Sequence, residues 1–313
     1  MSQASPLELT TLAEGLRFPE GPIAMSDGSV LLVEIARGTL TRVGADGVVT
    51  VVAEVGGGPN GAAIGPDGAC YLCNNGGFQW HERHGRLYPG EEPENYGGGR
   101  IERVDLATGE VTVIYSNCAG QPLRGPNDLV FDAHGGFWFT DHGKTRARER
   151  DVTGVFYAKA DGSYIREVIF PMVGPNGVGL SPDGTELYVA ETQTGRLWAY
   201  ALEEPGVLRG DRQDKPDGGR LLPGPAGYYL YDSLAVCADG TVCVATLVNG
   251  GITLIDPSGA RAPAFRATPD PLTTNLCFGG PQRRTAYLTL SSTGVLARAD
   301  WDRPGLGLAY PSE

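Results

Sequence analysis

Basic side chains are in the minority in this chain: 25 Lys plus Arg stand against 37 Asp plus Glu, a formal charge of −12 over 313 residues. A general nucleic-acid binder needs a basic face to displace counterions from phosphate, so nucleic acid is excluded as a partner. Long apolar runs are also missing. No stretch approaches the roughly 18 residues that a membrane-crossing helix requires, so no membrane role is expected. The N-terminus, MSQASPLELTTL, has neither the basic start nor the apolar core of a secretory signal, which predicts a cytoplasmic protein. Six Cys are too sparse for a disulfide scaffold. No Gly-Xaa-Ser-Xaa-Gly elbow for a serine nucleophile occurs, and no long helical period.

Glycine, by contrast, is abundant, with 47 residues. A 41% hydrophobic content argues against disorder, so the glycines mark turns in a folded chain. Those turns recur. Six segments share one phrase: PEGPIAMSDGSVLLVE (19–34), GPNGAAIGPDGACYLCNN (58–75), GPNDLVFDAHGGFWFTD (125–141), GPNGVGLSPDGTELYVAET (174–192), YDSLAVCADGTVCVAT (231–246) and TNLCFGGPQRRTAYLTL (274–290). Each opens on a polar residue: Glu20, Asn60, Asn127, Asn176, Asp232 and Asn275. In the first five a glycine follows eight positions later, at 28, 68, 135, 184 and 240; the sixth has Arg283 there. The openers are 40, 67, 49, 56 and 43 residues apart, the period of a propeller blade with insertions.

Each phrase reads as a β-hairpin, a short strand, a turn such as SPDG, and a returning run rich in Val, Leu, Tyr or Trp. A third alternating run follows each hairpin and a fourth follows some. The prediction is an all-β, six-bladed β-propeller in one domain over residues 1–313. The last phrase is short of strands, and LELTTLAEGL (7–16) precedes the first opener. An N-terminal strand should therefore complete the last blade and close the ring.

In a propeller the innermost strands line a central channel. The six openers begin those strands, so they should form a ring of two carboxylates and four amides at one end of it. Facing carboxylates are unfavourable in a partly dry channel unless a cation lies between them. Oxygen donors without thiolates suit a hard divalent ion, Ca²⁺ best, with Mg²⁺, Mn²⁺, Zn²⁺ or Fe²⁺ as alternatives.

On FPEGP, GPNDLVFD, GPNGVGLSPDGTELYVAET and YDSLAVCADG the chain resembles the family of gluconolactonase, regucalcin (senescence marker protein), the drug-responsive staphylococcal lactonase and diisopropyl fluorophosphatase. That resemblance covers nearly the whole chain. It implies a six-bladed propeller with one catalytic divalent metal held by Glu20, Asn176 and Asp232. Asn127 matches a residue that contacts metal in some members and substrate or metal-bound water in others. Asp232 matches the general base or nucleophile. Asn275 is expected to support the ligands without binding metal. Two departures stand out. Arg124 lies three positions before Asn127, where the regucalcin branch has an Arg two before. No His lies near Asn275, where the fluorophosphatase has one in its channel.

Loops after each second strand should roof the site, chiefly 76–99 and 142–153, with 224–232 before the fifth opener. They carry Trp80, His81, His84, Tyr96, His142, Lys144, Arg146, Tyr228 and Tyr229. His81, Tyr96, His142 and Tyr229, with Asn60 and Arg124, are the expected substrate contacts. The segment 202–221 follows a third strand and belongs on the far face. Cys70 and Cys73 are three apart on a strand and point to opposite faces, so they cannot share a metal, while Cys237 and Cys243 read as buried free thiols. The expected function is metal-dependent hydrolysis of a lactone, from a sugar acid or a carboxylated or aromatic catabolite. The alternatives are phosphotriester or aryl-ester hydrolysis at the same metal, and a non-catalytic calcium-binding propeller.

Overall fold

The computed structural model describes residues 5–210 and 216–310. It forms six antiparallel blades around a central axis. Blade 1 runs from its inner strand outward as Pro19–Ala24, Val30–Glu34, Thr39–Val43 and Val49–Glu54. Blade 2 is Pro59–Ile64, Cys70–Asn74, Arg100–Val104 and Val111–Tyr115. Blade 3 is Pro126–Phe131, Gly136–Asp141, Thr153–Lys159 and Ile165–Met172. Blade 4 has Pro175–Leu180, Glu186–Glu191 and Arg196–Glu204, with Arg220–Leu221 as a short outer strand. Blade 5 is Leu230–Val236, Val242–Leu247, Gly251–Ile255 and Ala264–Ala267. Blade 6 takes Thr273–Gly279, Thr285–Leu290 and Val295–Asp300 from the C-terminal end and Thr10–Ala13 from the N-terminal end. The expected closure is therefore present, and it leaves no blade short of an outer strand. Among the described residues no helix is long and apolar enough to cross a membrane.

The second strands explain how the blades adhere. Val30–Glu34 and Cys70–Asn74 are buried along their whole length. Successive side chains of a strand point to opposite faces. Leu31 and Val33 accordingly pack toward blade 2, while Val30 and Leu32 pack toward blade 6. Cys70 and Tyr71 likewise enter different clusters, and so do Leu72 and Cys73. The result is six apolar clusters, one in each wedge between adjacent blades. All six cysteines are free, and the Cys237 and Cys243 sulfurs lie 3.5 Å apart in one wedge.

The five repeated glycines adopt positive φ, from 70° at Gly184 to 84° at Gly28 and Gly240, which an L side chain resists. In blade 6, where Arg283 replaces glycine, a 3-10 turn at Pro281–Arg283 substitutes, with Gln282 at φ 60° and Arg283 at φ 53°. The inner strands themselves form a closed ring, each packed on both neighbours. They approach so closely that the residue after several openers must be glycine. A Cβ at Gly177 would lie 2.6 Å from the Leu234 nitrogen and 2.8 Å from the Asp232 oxygen, and one at Gly61 would lie 2.5 Å from the Asn127 oxygen. Gly177→Ala should therefore cost about 2–3 kcal/mol by overpacking. Gly184→Ala, which meets open space but keeps a positive φ, should cost about 1 kcal/mol. Urea denaturation of the two variants checks this; equal losses would contradict the close approach.

Candidate active site

Each inner strand is irregular at its opener. Register breaks fall at Glu20/Ile23, Pro59/Ala62, Pro126/Leu129, Pro175/Val178, Tyr231/Leu234 and Thr273/Asn275. A bulge re-aims the side chain it contains. Here it occurs six times at equivalent places, so all six openers sit at one level of the ring, five of them buried and Asp232 half-buried.

The chain leading into the ring is held by a second set of polar residues at the ends of the second strands. Glu34 accepts from the Arg17 N–H at 2.7 Å, and Asn74 accepts from the Gly58 N–H at 2.9 Å. Asp141 accepts from Arg124 and Gly125 N–H groups, each at 2.7 Å, and Glu191 from Val173 at 2.9 Å. These buried side chains, three acids and one amide, satisfy backbone donors and belong to the scaffold.

The channel acids differ. Glu20, Asp232 and Asp128 come from alternate blades, and among the described residues none is paired with a basic side chain. Burial pushes the Glu20 carboxyl up to about 7, against hydrogen bonds from Asn275 and the Gly21 N–H. Burial, then the Glu20 charge, pushes Asp128 up to about 8. The same causes hold Asp232 well above the carboxylate range, with Asn176 opposing. Asp128 is the residue that sequence reasoning missed. It follows an opener, where blades 1, 2 and 4 have Gly21, Gly61 and Gly177. That exception, with Ser233 at the matching place in blade 5, was the available signal.

The amides divide by role. Asn275 donates to Glu20 Oε2 at 2.7 Å and accepts from the Leu276 N–H at 2.7 Å, so it orients the carboxylate. Asn176 donates from Nδ2 to Thr192 Oγ1 at 3.1 Å, which leaves its Oδ1 for the channel side, 3.5 Å from Ser233 Oγ. Asn127 Oδ1 is buried without a hydrogen-bond partner. A lone orphan carbonyl beside three unneutralised carboxylates is what a hard cation would satisfy. Among the described residues no three His, Cys, Asp or Glu side chains make a metal cluster by themselves.

The roof is more ordered than a loop. Within 76–99, Trp80–Arg83 pairs with Arg86–Pro89 as a hairpin, correcting the expected loop. His81 lies exposed on that hairpin, packed over Gly90, and His84 is its turn at φ 52°. The structure therefore does not bring His81 to the ring. Trp80 is half-buried against Phe18, ring centroids 5.1 Å apart. The Tyr96 hydroxyl donates to the Arg124 carbonyl, and burial raises it to about 12, so its hydroxyl is already engaged. The Arg124 side chain is exposed. Lys144, fully buried, reaches across to the Gly77 carbonyl and Asn75 Oδ1, 4.3 Å above the Phe78 ring, and burial lowers it to about 7. Arg146 bridges Glu92 and Asp151, each at 2.9 Å. These contacts weld the blade 2 and blade 3 roof segments into one lid. Tyr228 is exposed and Tyr229 half-buried before the fifth opener.

The model of the SMP-30/Gluconolactonase/LRE-like region matches residues 18–292. The chain belongs to that family. It is 26% identical to a gluconolactonase of Zymomonas mobilis, covering 94% of this chain and 82% of that one. It is 29% identical to lactonase drp35 of Staphylococcus haemolyticus, over 79% of this chain and 68% of the relative. The structure of a calcium-binding regucalcin from Agrobacterium tumefaciens shares the propeller fold, with a TM-score of 0.76 at 19% identity over 99% of both chains.

His142 lies at the blade 3–blade 4 boundary with its Nδ1 buried and unpartnered. Burial, then the Arg150 and Lys144 charges, lowers it to about 3. Between pH 6.5 and 3 the unfolded chain thus binds a proton that the folded chain refuses, and stability falls as pH drops through that window. His142→Gln should flatten this acid-side loss by up to about 1.4 kcal/mol per pH unit. Urea midpoints of wild type and variant from pH 7 to 4 check it; parallel curves would contradict a buried neutral imidazole.

Proposed function

We propose that the protein is a divalent-metal-dependent lactonase, a hydrolase acting on a cyclic carboxylic ester. The observation that carries this is the convergence of Glu20, Asp128 and Asp232 with the orphaned Asn127 carbonyl at one end of the channel, in a family whose relatives include a gluconolactonase and a lactonase. Glu20, Asn176 and Asp232 would hold the metal, with Asn127 as a further oxygen ligand or as a hydrogen bond to the substrate. Oxygen-only donors favour Ca²⁺, and the regucalcin neighbour is a calcium-binding protein. A cation held there would supply Lewis acidity to polarise an ester carbonyl.

The chain's own groups do the rest. Asp232, its basicity raised by burial and by Glu20, accepts the proton of the attacking water. Asn275 keeps Glu20 turned toward the channel through its 2.7 Å hydrogen bond. Asp128, which accepts from Ser233 and the Val178 N–H, holds a second raised carboxyl opposite Asp232 and can receive or return a proton as the ring opens. Asn60 is buried at the same level and offers an amide to the substrate. The lid of 76–99 and 142–153 limits water at the mouth.

The test is metal analysis with a pH-indicator screen of γ- and δ-lactones, with and without chelator. Lactone turnover that chelator abolishes and added metal restores is expected. Turnover of phosphotriesters above lactones would overturn the substrate class, and a metal-loaded protein inert to the panel would overturn catalysis. Asp232→Asn should retain the fold and lose about 10²–10⁴-fold in kcat; near wild-type turnover would remove Asp232 from its role.

Proton and metal compete for the same acids. Because the folded carboxyls are raised above their unfolded values, the metal-free protein loses stability as pH rises from about 4.5 through 7 to 8. Added cation should therefore raise Tm more at pH 8 than at pH 5.5. Thermal melts at both pH values, with Ca²⁺ or with chelator, check this; an equal shift would contradict it.

A further inference from the structure

Among the described residues Arg150 has no salt-bridge partner. It is half-buried, and the Asp151 charge acts on it without a direct ion pair. Its sequence neighbour Asp151 is already taken by Arg146 at 2.9 Å and by the Lys144 N–H at 3.0 Å. The guanidinium Nη1 donates to Thr145 Oγ1 at 2.5 Å and Nη2 to the His142 carbonyl at 3.0 Å, while Nε is buried with no acceptor. Two neutral acceptors fix the group in place without neutralising it, and each terminal nitrogen keeps a second hydrogen.

Its position is equally specific. A Cβ on Gly174 would stand 2.7 Å from Arg150 Nη2. Gly174 lies two residues before Asn176, on the turn that enters the ring. His142, neutral and also carrying a sealed unpartnered nitrogen, is beside it against the same turn. Lys144, held by the Gly77 carbonyl and Asn75 Oδ1, lies in the same roof segment. A buried charge is retained only where something compensates it, and the planar guanidinium matches a carboxylate better than an ammonium does.

We propose that Arg150 binds a carboxylate substituent of the substrate, so that the lactone opened here is an anionic one, the internal ester of a hydroxy-dicarboxylic acid. This rests on the lactonase reading and names its substrate class. Arg150 sets specificity and takes no part in the bond-breaking step.

The experiment compares a γ-lactone carrying a ring carboxylate with the same lactone lacking it, at fixed ionic strength, in metal-loaded wild type, Arg150→Gln and Arg150→Lys. Wild type should prefer the carboxylated lactone by at least tenfold in kcat/KM, expressed mainly in KM. Arg150→Gln should bring the ratio toward one, and Arg150→Lys should recover part of it. Equal use of both lactones by wild type, or a preference that survives Arg150→Gln with unchanged circular dichroism, overturns the proposal. If wild type opens neither lactone, the lactonase reading fails separately. Calorimetry with the open hydroxy-dicarboxylate then decides the anion site: binding weakened at least tenfold in Arg150→Gln supports it, and no binding to wild type overturns it.

Discussion

Three carboxyl groups from blades 1, 3 and 5 face one another where water is largely excluded, and among the described residues no basic side chain pairs with them. Like charges so placed cannot all ionise unaided. The folded protein must therefore carry protons or a cation there, and every other feature of the ring accommodates that demand. Asn275 gives Glu20 a hydrogen bond, Asn176 and Ser233 support Asp232 and Asp128, and the Asn127 carbonyl is left open. The energy that holds these groups together comes from elsewhere, from six apolar wedges between blades.

Two kinds of buried acid coexist in the protein, and their surroundings separate them. Asp141 is surrounded by backbone N–H groups from residues 124, 125 and 143 and serves the turn that leads into Asn127. Asp128, one strand further in, faces Glu20 across the channel. The scaffold acids convert the strain of ordering a loop into satisfied hydrogen bonds. The channel acids are hydrogen-bonded as well, but among the described residues they have no basic partner. Above them, Arg150 has no salt-bridge partner among the described residues.

Much of this was legible because the repeat is local. A turn glycine eight residues after each opener reports a hairpin of fixed size, and the alternation in runs such as VLLVE reports a strand buried on both sides. Glu20, Asn60, Asn127, Asn176, Asp232 and Asn275 could be placed at one level from that spacing alone. Asp128 could not, because its neighbours in other blades are glycines selected by backbone contact, and that contact exists only once the blades are assembled. The 80–89 hairpin was hidden by a Gly- and Pro-rich composition that also suits a loop, and His81 was expected near the ring although the hairpin carries it to the surface.

By itself, the sequence determined the number of blades, the direction of each hairpin and the residues that begin the inner strands, since these follow from periodicities within a few tens of residues. Tertiary structure alone decided the charge state of the ring, the neutrality of His142 and the isolation of Arg150. Those properties arise from desolvation and from groups brought together across blades, as when residues 20 and 275 meet at 2.7 Å. Burial and long-range Coulomb interaction leave no local pattern in a chain, so they become visible only after it has closed on itself.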